Sequence, residues 1–381
     1  MPDVTRLSEE SAWEGMTSLS LIYFRNYKKL RLEVEARNVL LTGPNGAGKT
    51  SVLEALSLFS PSKGLRQAAL TELRTMTAPA LSPWSVSTRV RTAAGLLDLG
   101  TGGEMSAIPE RRIAKIHHKF IRSFAAFEEV LWILWLTPSM DRLFTEASHK
   151  QRAFFDHLVG GLYPSYKTRH AHYKALLKER LRLLLFYPSE TSWIASVEEK
   201  LARLGAEMTR TRRAFLDLLT SRLPTVSTPF PCPTVQLRET YPADGDLEDS
   251  LQKALAAHRA QDAQTGNTAA GPHRTEWVAR FPPKGLLASS CSTGEQKALL
   301  LTLILATARL YKERRTGVPL LLFDDCTTHL DAQKQAALWE ALQDLHIQMW
   351  FTSVETPNFP ATGENLQHFS VENGICQRKT R

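Results

Sequence analysis

Apolar and polar residues alternate from Ser18 to Glu35 (SLSLIYFRNYKKLRLEVE), which predicts a hairpin of half-buried strands. The run NVLLTG, Asn38 to Gly43, reads as a buried strand, and Lys49 to Leu58 as the helix that follows it. From Thr71 to about Ile116 the pattern weakens. Pro79, Pro83 and the stretch Gly100–Gly103 punctuate short strand-like pieces such as WSVSTRVR. Two longer helical stretches follow, His149–Leu185 and Ser192–Arg222, split by YPSETS and closed by Pro224. Leu247–Ala263 predicts a further helix and TEWVARF, Thr275–Phe281, a return to strand. The last third reads as a helix over Thr293–Arg315, the strand VPLLLFDD, a helix over Asp331–Leu345 and the strand IQMWFTSV. Strand–helix–strand–helix–strand implies a parallel α/β sheet. No internal repeat or low-complexity tract interrupts it.

Composition narrows the class. At 381 residues, 43% hydrophobic and 23% charged, the chain has the make-up of a globular protein with one to three lobes. Residues 1–17 mix charged and polar side chains without an apolar core, so a frayed tail is expected there and not a secretory signal. The longest apolar run, Ala298–Ala308, is too short to span a bilayer, which gives a cytoplasmic expectation with no membrane partner. The four cysteines form no CxxC pair and read as free thiols, with no zinc site. A net charge of +8, with Lys and Arg spread along the chain, favours polyanionic partners, nucleic acid above all.

Two segments carry phosphate chemistry. Gly43-x-x-x-x-Gly48-Lys49-Thr50 is the P-loop pattern, placed between a predicted strand and a predicted helix. Its glycines let successive backbone N–H groups wrap a phosphate at a helix N-terminus. Gly43, Pro44, Asn45, Gly46, Ala47, Gly48, Lys49, Thr50 and Ser51 are therefore the expected nucleotide loop, Lys49 bridging phosphates and Thr50 ligating Mg²⁺. The second segment, PLLLFDD, ends an apolar strand in two acids. Asp324 is the expected Mg²⁺ partner and Asp325 the acid that polarises the attacking water. Without the P-loop, the same acids would read equally well as an ordinary strand end.

A third segment separates the families. CSTGEQKALL, Cys291–Leu300, puts Ser-x-Gly-Glu-Gln at a helix N-terminus about 250 residues after the P-loop. With His329 and Asp331 of HLD it resembles the signature and D-loop of ABC-type ATPases, where the signature of one subunit caps the γ-phosphate on the P-loop of another. Ser292, Gly294, Glu295 and Asp331 join the expected nucleotide set on that resemblance. Ser292 also suits an N-cap, and the two roles are compatible. Transporter subunits place the signature closer to the P-loop, and the helical insert here is too short and too irregular for a long coiled coil.

The ordered set FRNY, LWLTPSMDRLF, KQRAFFDHLV, YKALLKERLRLL, AAGPHRTEW and CSTGEQKALL resembles the RecF family over about Leu19 to Val354. The resemblance implies an α/β fold, an ABC-type ATPase head with a mixed sheet of parallel core and an inserted, mainly helical second lobe. The ATPase lobe would comprise 18–125 and 275–381, and the helical lobe 126–274, leading into the signature at 291–297. It further implies ATP and Mg²⁺, an ATP-dependent homodimer and slow hydrolysis. The implied partners are double-stranded DNA held through its backbone and the proteins RecR and RecO, with loading of recombinase at single-strand gaps as the outcome. Arg25 and Asn26 lie where related ATPases contact the adenine side. The alternatives are a soluble ABC-type ATPase working with a nuclease or toxin, and a transporter subunit, which the motif spacing disfavours.

The chain departs from the ABC pattern in three places. The second acid is Asp325 where Glu is frequent, which predicts slow turnover. No glutamine precedes LTPSMD to serve as a Q-loop. FTSVETP offers Ser353, Val354 and Glu355, with no histidine at the switch position. Lys28, Lys29, Arg111, Arg112, Lys174, Lys178, Arg180, Arg182, Arg210, Arg212 and Arg213 are candidates for DNA, each equally suited to a solvated face. His273 and Arg274 of GPHR either face the nucleotide or the lobe boundary, or shape a turn.

Overall fold

The computed structural model describes residues 13–79, 82–104, 111–223, 230–242, 245–328, 330–356 and 365–379. β1 (Gly15–Phe24) and β2 (Tyr27–Glu33) form the predicted hairpin, with Leu21 opposite Leu30. β3 (Asn38–Thr42) is buried at all five positions and runs into α1 (Lys49–Ser57). After the short α2 (Leu70–Leu73), β4 (Ser85–Thr92), β5 (Gly95–Glu104), β6 (Arg111–Ile116) and β7 (Lys119–Phe120) extend the hairpin into a six-stranded antiparallel sheet. α3 (Phe127–Val130) leads to β8 (Leu131–Leu136).

The middle of the chain is mainly helical: α4 (Ser148–Leu162), α5 (Pro164–Phe186), α6 (Thr191–Thr220), β9 (Thr234–Arg238), α7 (Leu247–Ala257), α8 (Arg259–Thr265), β10 (Glu276–Phe281), β11 (Leu286–Leu287) and α9 (Thr293–Arg314). β9, β10 and β11 form a small antiparallel sheet. The chain then returns through β12 (Val318–Phe323), α10 (Ala332–Gln343), β13 (Gln348–Ser353), β14 (Leu366–Glu372) and β15 (Ile375–Arg378). Strands β14, β3, β13, β12 and β8 lie parallel in that order, with β15 antiparallel at the edge. One core joins the two large sheets across α1. Leu19, Leu21 and Leu32 meet Val52, Leu53 and Leu56 of the helix and Val39, Leu41, Leu320 and Leu322 of the parallel sheet. Each such side chain contributes about 1.5–3 kcal/mol of burial.

The chain divides into two compact units, one running to Met140 and resuming at Thr316, the other Asp141–Arg315. These boundaries differ from the expected ones. LWILWL, expected in the helical lobe, is the strand β8 beside β12, because a six-residue apolar run fits a buried helix and a buried strand equally well. Residues 275–315, expected with the ATPase lobe, belong to the helical unit, and so the signature does too. Strand β1 begins at Gly15, with Met16 fully buried, inside the span expected as a tail; residues 1–12 lie outside the described set. Two predicted helices are each two. Pro164 opens α5 and lacks the N–H that would continue α4. His258, at φ −94° and ψ 7°, separates α7 from α8.

Candidate nucleotide-binding site

Strand β3 is buried between β14 and β13, so the chain must leave the sheet at Thr42. It does so through glycines in the left-handed region, Gly43 at φ 152°, Gly46 at φ 80° and Gly48 at φ 118°. A Cβ on Gly43 would strike the Val371 carbonyl, and one on Gly48 would lie 2.5 Å from Asn26 Nδ2 and 2.6 Å from the Tyr27 hydroxyl. One on Gly46 would meet nothing within 4 Å, so the loop's concave face is open there. Ala47 is fixed from both sides, its carbonyl accepting from Asn26 Nδ2 at 3.1 Å and from the Gly374 N–H at 3.2 Å. Pro44 O accepts the Ala47 N–H at 3.2 Å, and Ser51 is buried in the first turn of α1. Lys49 Nζ donates to Gly43 O at 2.6 Å and Pro44 O at 3.0 Å. Burial lowers its pKa, while Asp325 and Asp324 oppose that shift.

The two acids follow β12, whose parallel register with β13 pairs Phe323 with Phe351. The next residues are therefore neighbours. Thr352 Oγ1 donates to Asp324 Oδ1 at 2.7 Å and accepts the Asp325 N–H at 3.0 Å. From the other side Thr50 Oγ1 donates to the same Asp324 oxygen at 2.8 Å. Asp325 sits at φ 48°, a left-handed backbone uncommon for a residue other than glycine. Thr352 was not singled out in the sequence. Its signal was its place in the strand beside the acids, one residue before Ser353. Thr50 and Asp324 form an oxygen-only donor pair of the kind that suits Mg²⁺, so the residues present fit that ion.

Asn45, Gly46, Gly48, Lys49, Thr50, Ser51 and Asp325 line one cleft of about 630 Å³ with Arg25, Asn26, Arg66 and Arg74–Thr77. The FRNY turn forms one wall. Arg25 pairs with fully buried Glu54 at 2.5 Å, and Arg66 reaches the same carboxylate at 3.5 Å, which ties this wall to α1. The cleft has the size of a small-ligand site, and its loop can take phosphates through backbone N–H groups.

The signature residues lie in the other unit. Ser292 is the N-cap of α9 in a capping box. Its hydroxyl accepts the Glu295 N–H at 3.4 Å, and the Glu295 carboxylate takes the Ser292 N–H at 2.9 Å. Gly294 is in the first turn of that helix. Hydrogen bonding from Lys284 and Ser292 holds the Glu295 carboxyl down at about 2. Asp331 caps α10, accepting from the Lys334 N–H at 2.8 Å. His329 lies outside the described residues.

Burial sorts the basic candidates. Arg180 is fully buried, bonded to Glu198 at 2.9 Å and Asp262 at 2.7 Å. Arg212 is buried on Asp156 at 2.8 Å and also donates to Pro272 O at 2.5 Å. Arg112 turns inward to the Ser62 carbonyl and over the Phe124 ring, and burial lowers its pKa to about 10. These three hold their own unit together and are withdrawn as DNA contacts. Lys28, Lys29, Arg111, Lys174, Lys178, Arg182 and Arg210 are exposed and Arg213 is partly so. His273 accepts or donates to Tyr173 OH at 3.1 Å and donates to Thr268 O when Nε2 carries the proton, and Arg274 bonds the same carbonyl at 3.0 Å. GPHR thus shapes a turn within the helical unit. No disulfide joins the four cysteines. Among the described residues no helix is long and apolar enough to cross a membrane.

A P-loop between a parallel strand and α1, two acids two strands away, a flanking antiparallel sheet and an inserted helical unit define an ABC-type ATPase head. The AAA domain family AAA_23 matches residues 18–60. A solved structure described as the recombination mediator protein RecF-ATP in the RecFOR pathway superposes with TM-score 0.82 at 20% identity, covering 98% of this chain and 100% of that one. The Smc head domain of Pyrococcus furiosus follows the same fold more loosely, at TM-score 0.54 and 13% identity over 96% of each chain. "DNA replication and repair protein RecF" of Rhizobium rhizogenes is 37% identical over 94% of this chain and 97% of its own length. Its counterpart in Rhizobium meliloti is 36% identical over 94% and 97%. The chain belongs to the RecF family.

Proposed function

We propose that this protein is an ATP-dependent DNA-repair factor that binds ATP on the P-loop and pairs with a second copy of itself. The observation that carries the reading is the cluster Thr50–Asp324–Thr352, whose Thr50 lines one cleft with Lys49 and Asp325. Gly43 to Ser51 hold the phosphates, and Lys49 swings from the loop carbonyls to phosphate oxygens, whose negative charge makes them the stronger acceptors. Thr50 and Asp324 hold Mg²⁺, which supplies charge neutralisation on the phosphates. Asp325, oriented through its N–H by Thr352, accepts the proton of the attacking water. Its short side chain supports slow hydrolysis, suited to timing a complex and not to driving motion.

The anion-binding N-terminus of α9, with Ser292 and Gly294, caps the γ-phosphate held by the partner copy, and Asp331 lies near that junction. The closed dimer grips double-stranded DNA by its backbone and works with RecR and RecO, whose recombinase-loading role the family's place in repair supports. Sedimentation with and without ATP-Mg²⁺ tests the pairing: a dimer with nucleotide is expected, and a monomer at saturating ATP-Mg²⁺ would refute it. Hydrolysis measured with and without duplex DNA across a salt series tests the DNA role in the same samples.

A further inference from the structure

The turn between α5 and α6 exposes an unusual group of side chains. Leu185, Phe186, Tyr187 and Trp193 are all large and apolar, and Phe186 is 71% exposed. The turn itself is tight. The Tyr187 N–H bonds Leu183 O at 2.9 Å, the Glu190 N–H bonds Tyr187 O at 3.1 Å, and α6 starts at Thr191. The aromatic rings are therefore presented from a fixed backbone and are not carried on a long loop.

The approach to this turn is cationic. Lys174, Lys178, Arg182 and Phe186 are spaced by four, so they form one stripe along α5. The opposite face of the helix, with Tyr173, Arg180, Leu183 and Leu184, is buried in the unit's own core. Lys174, Lys178 and Arg182 are exposed, and among the described residues none of them is paired with a carboxylate. Helix α5 contains Arg180 two residues from Lys178, yet only Arg180 has been given buried acids to neutralise it. These charges are therefore open to an anionic partner from outside the unit.

A row of unpaired cations ending in exposed aromatic rings matches the two chemical faces of an unpaired nucleic-acid strand. The cations track phosphates, and flat rings stack on bases that duplex pairing would otherwise hide. A duplex would use the cations and leave Phe186, Tyr187 and Trp193 without partners. A protein partner would bury the rings but has no need of three successive uncompensated charges. We propose that the α5–α6 turn binds single-stranded DNA, the bases stacking on Phe186, Tyr187 and Trp193 and the backbone running along Lys174, Lys178 and Arg182. The proposal deepens the DNA-repair reading above and rests on it: this turn takes the unpaired side of a gap.

The test uses the full-length protein with ATP-Mg²⁺ and three fluorescent probes: a thymidine 30-mer, an abasic strand of the same length, and a duplex. Phe186→Ala/Trp193→Ala is expected to weaken the thymidine strand at least tenfold, since two stacking platforms are lost, while duplex affinity changes less than twofold. The wild type is expected to hold the abasic strand as weakly as the variant holds thymidine. Lys178→Ala/Arg182→Ala is expected to lower the single-strand log–log salt slope by about 1.4. Basal ATP hydrolysis and the unfolding midpoint are expected to stay at wild-type values in both variants. Equal losses on strand and duplex, or none on the strand, overturn the proposal. A variant that binds all DNA normally but loses self-association or RecR assigns the turn to a protein contact instead. If the wild type binds duplex and the turn variants match it on every probe, only this inference fails. If the wild type binds no DNA, the DNA-repair reading fails with it.

Discussion

Thr50 and Thr352 meet on one oxygen: both hydroxyls donate to Asp324 Oδ1, at 2.8 and 2.7 Å. One threonine comes from the helix after the P-loop and the other from the strand between β3 and β12, so the carboxylate is fixed by two elements other than its own. Thr352 also accepts the Asp325 N–H, which links both acids to a single side chain. Thr352→Val keeps the shape and deletes these bonds. It is expected to lower stability by about 1–2 kcal/mol and to slow hydrolysis more than it weakens ATP binding. Equilibrium unfolding and single-turnover rates would separate these effects, and a wild-type rate would remove Thr352 from the machinery.

Lys49→Met and Asp325→Asn should fail differently. The first removes the buried cation beside the loop carbonyls and is expected to abolish ATP binding in a direct titration. The second leaves the loop and Thr50–Asp324 intact, so ATP stays bound and the paired state is long-lived. Rapid hydrolysis by Asp325→Asn would contradict its role as base.

Ser292 caps α9, and substitution can split that cap from the proposed phosphate contact. Ser292→Ala loses the N-cap and is expected to cost about 1 kcal/mol. Ser292→Asp keeps a capping oxygen but sets a second carboxylate beside Glu295, which accepts from the Ser292 hydroxyl at 3.0 Å, so the helical unit should unfold below the wild-type midpoint while staying folded. Its added charge repels phosphate, and ATP-dependent pairing in sedimentation should disappear. Pairing at wild-type affinity would show that this helix end faces no phosphate.

Arg180→Met is expected to destabilise the helical unit by about 3–5 kcal/mol, because Glu198 and Asp262 would be left buried without that partner. Lys178→Ala, two residues away and exposed, should stay within about 0.5 kcal/mol of wild type. Urea unfolding of both variants checks the contrast.

Burial lowers His157 and His273 to about 4. Both rings are neutral in the folded unit, while the unfolded chain protonates them near the ordinary histidine value of about 6.5. Their contribution is therefore complete above that value and is lost as pH falls toward 4, by about 2 kcal/mol per histidine between pH 7 and pH 5. Denaturant unfolding at the two pH values measures the loss, and ring resonances titrating near 6.5 in the folded protein would rule it out.

Much of the first unit was legible because its signals are local. Glycines at 43, 46 and 48 require a backbone that other residues resist, and Leu320–Phe323 followed by two acids marks a buried strand with a polar tip. The reading failed where the same residues satisfy two arrangements. LWILWL has no periodicity to distinguish strand from helix, and only pairing with β12 made it β8. Val371, which crowds Gly43, lies in β14, a strand the sequence pattern had not marked.

Charge behaved in the same way. The sequence by itself determined that a glycine-rich loop would join β3 to α1, that Asp324 and Asp325 would follow a buried strand, and that Ser292 would start a helix, since each follows from neighbours in the chain. Only the tertiary structure decided that Thr352 would hold both acids and that Arg112, Arg180 and Arg212 would turn inward while Lys174, Lys178 and Arg182 stayed free. The reason is physical. A guanidinium is withdrawn from solvent only when acids or carbonyls distant in sequence, such as Asp262 for Arg180 or Pro272 for Arg212, are brought within hydrogen-bonding reach.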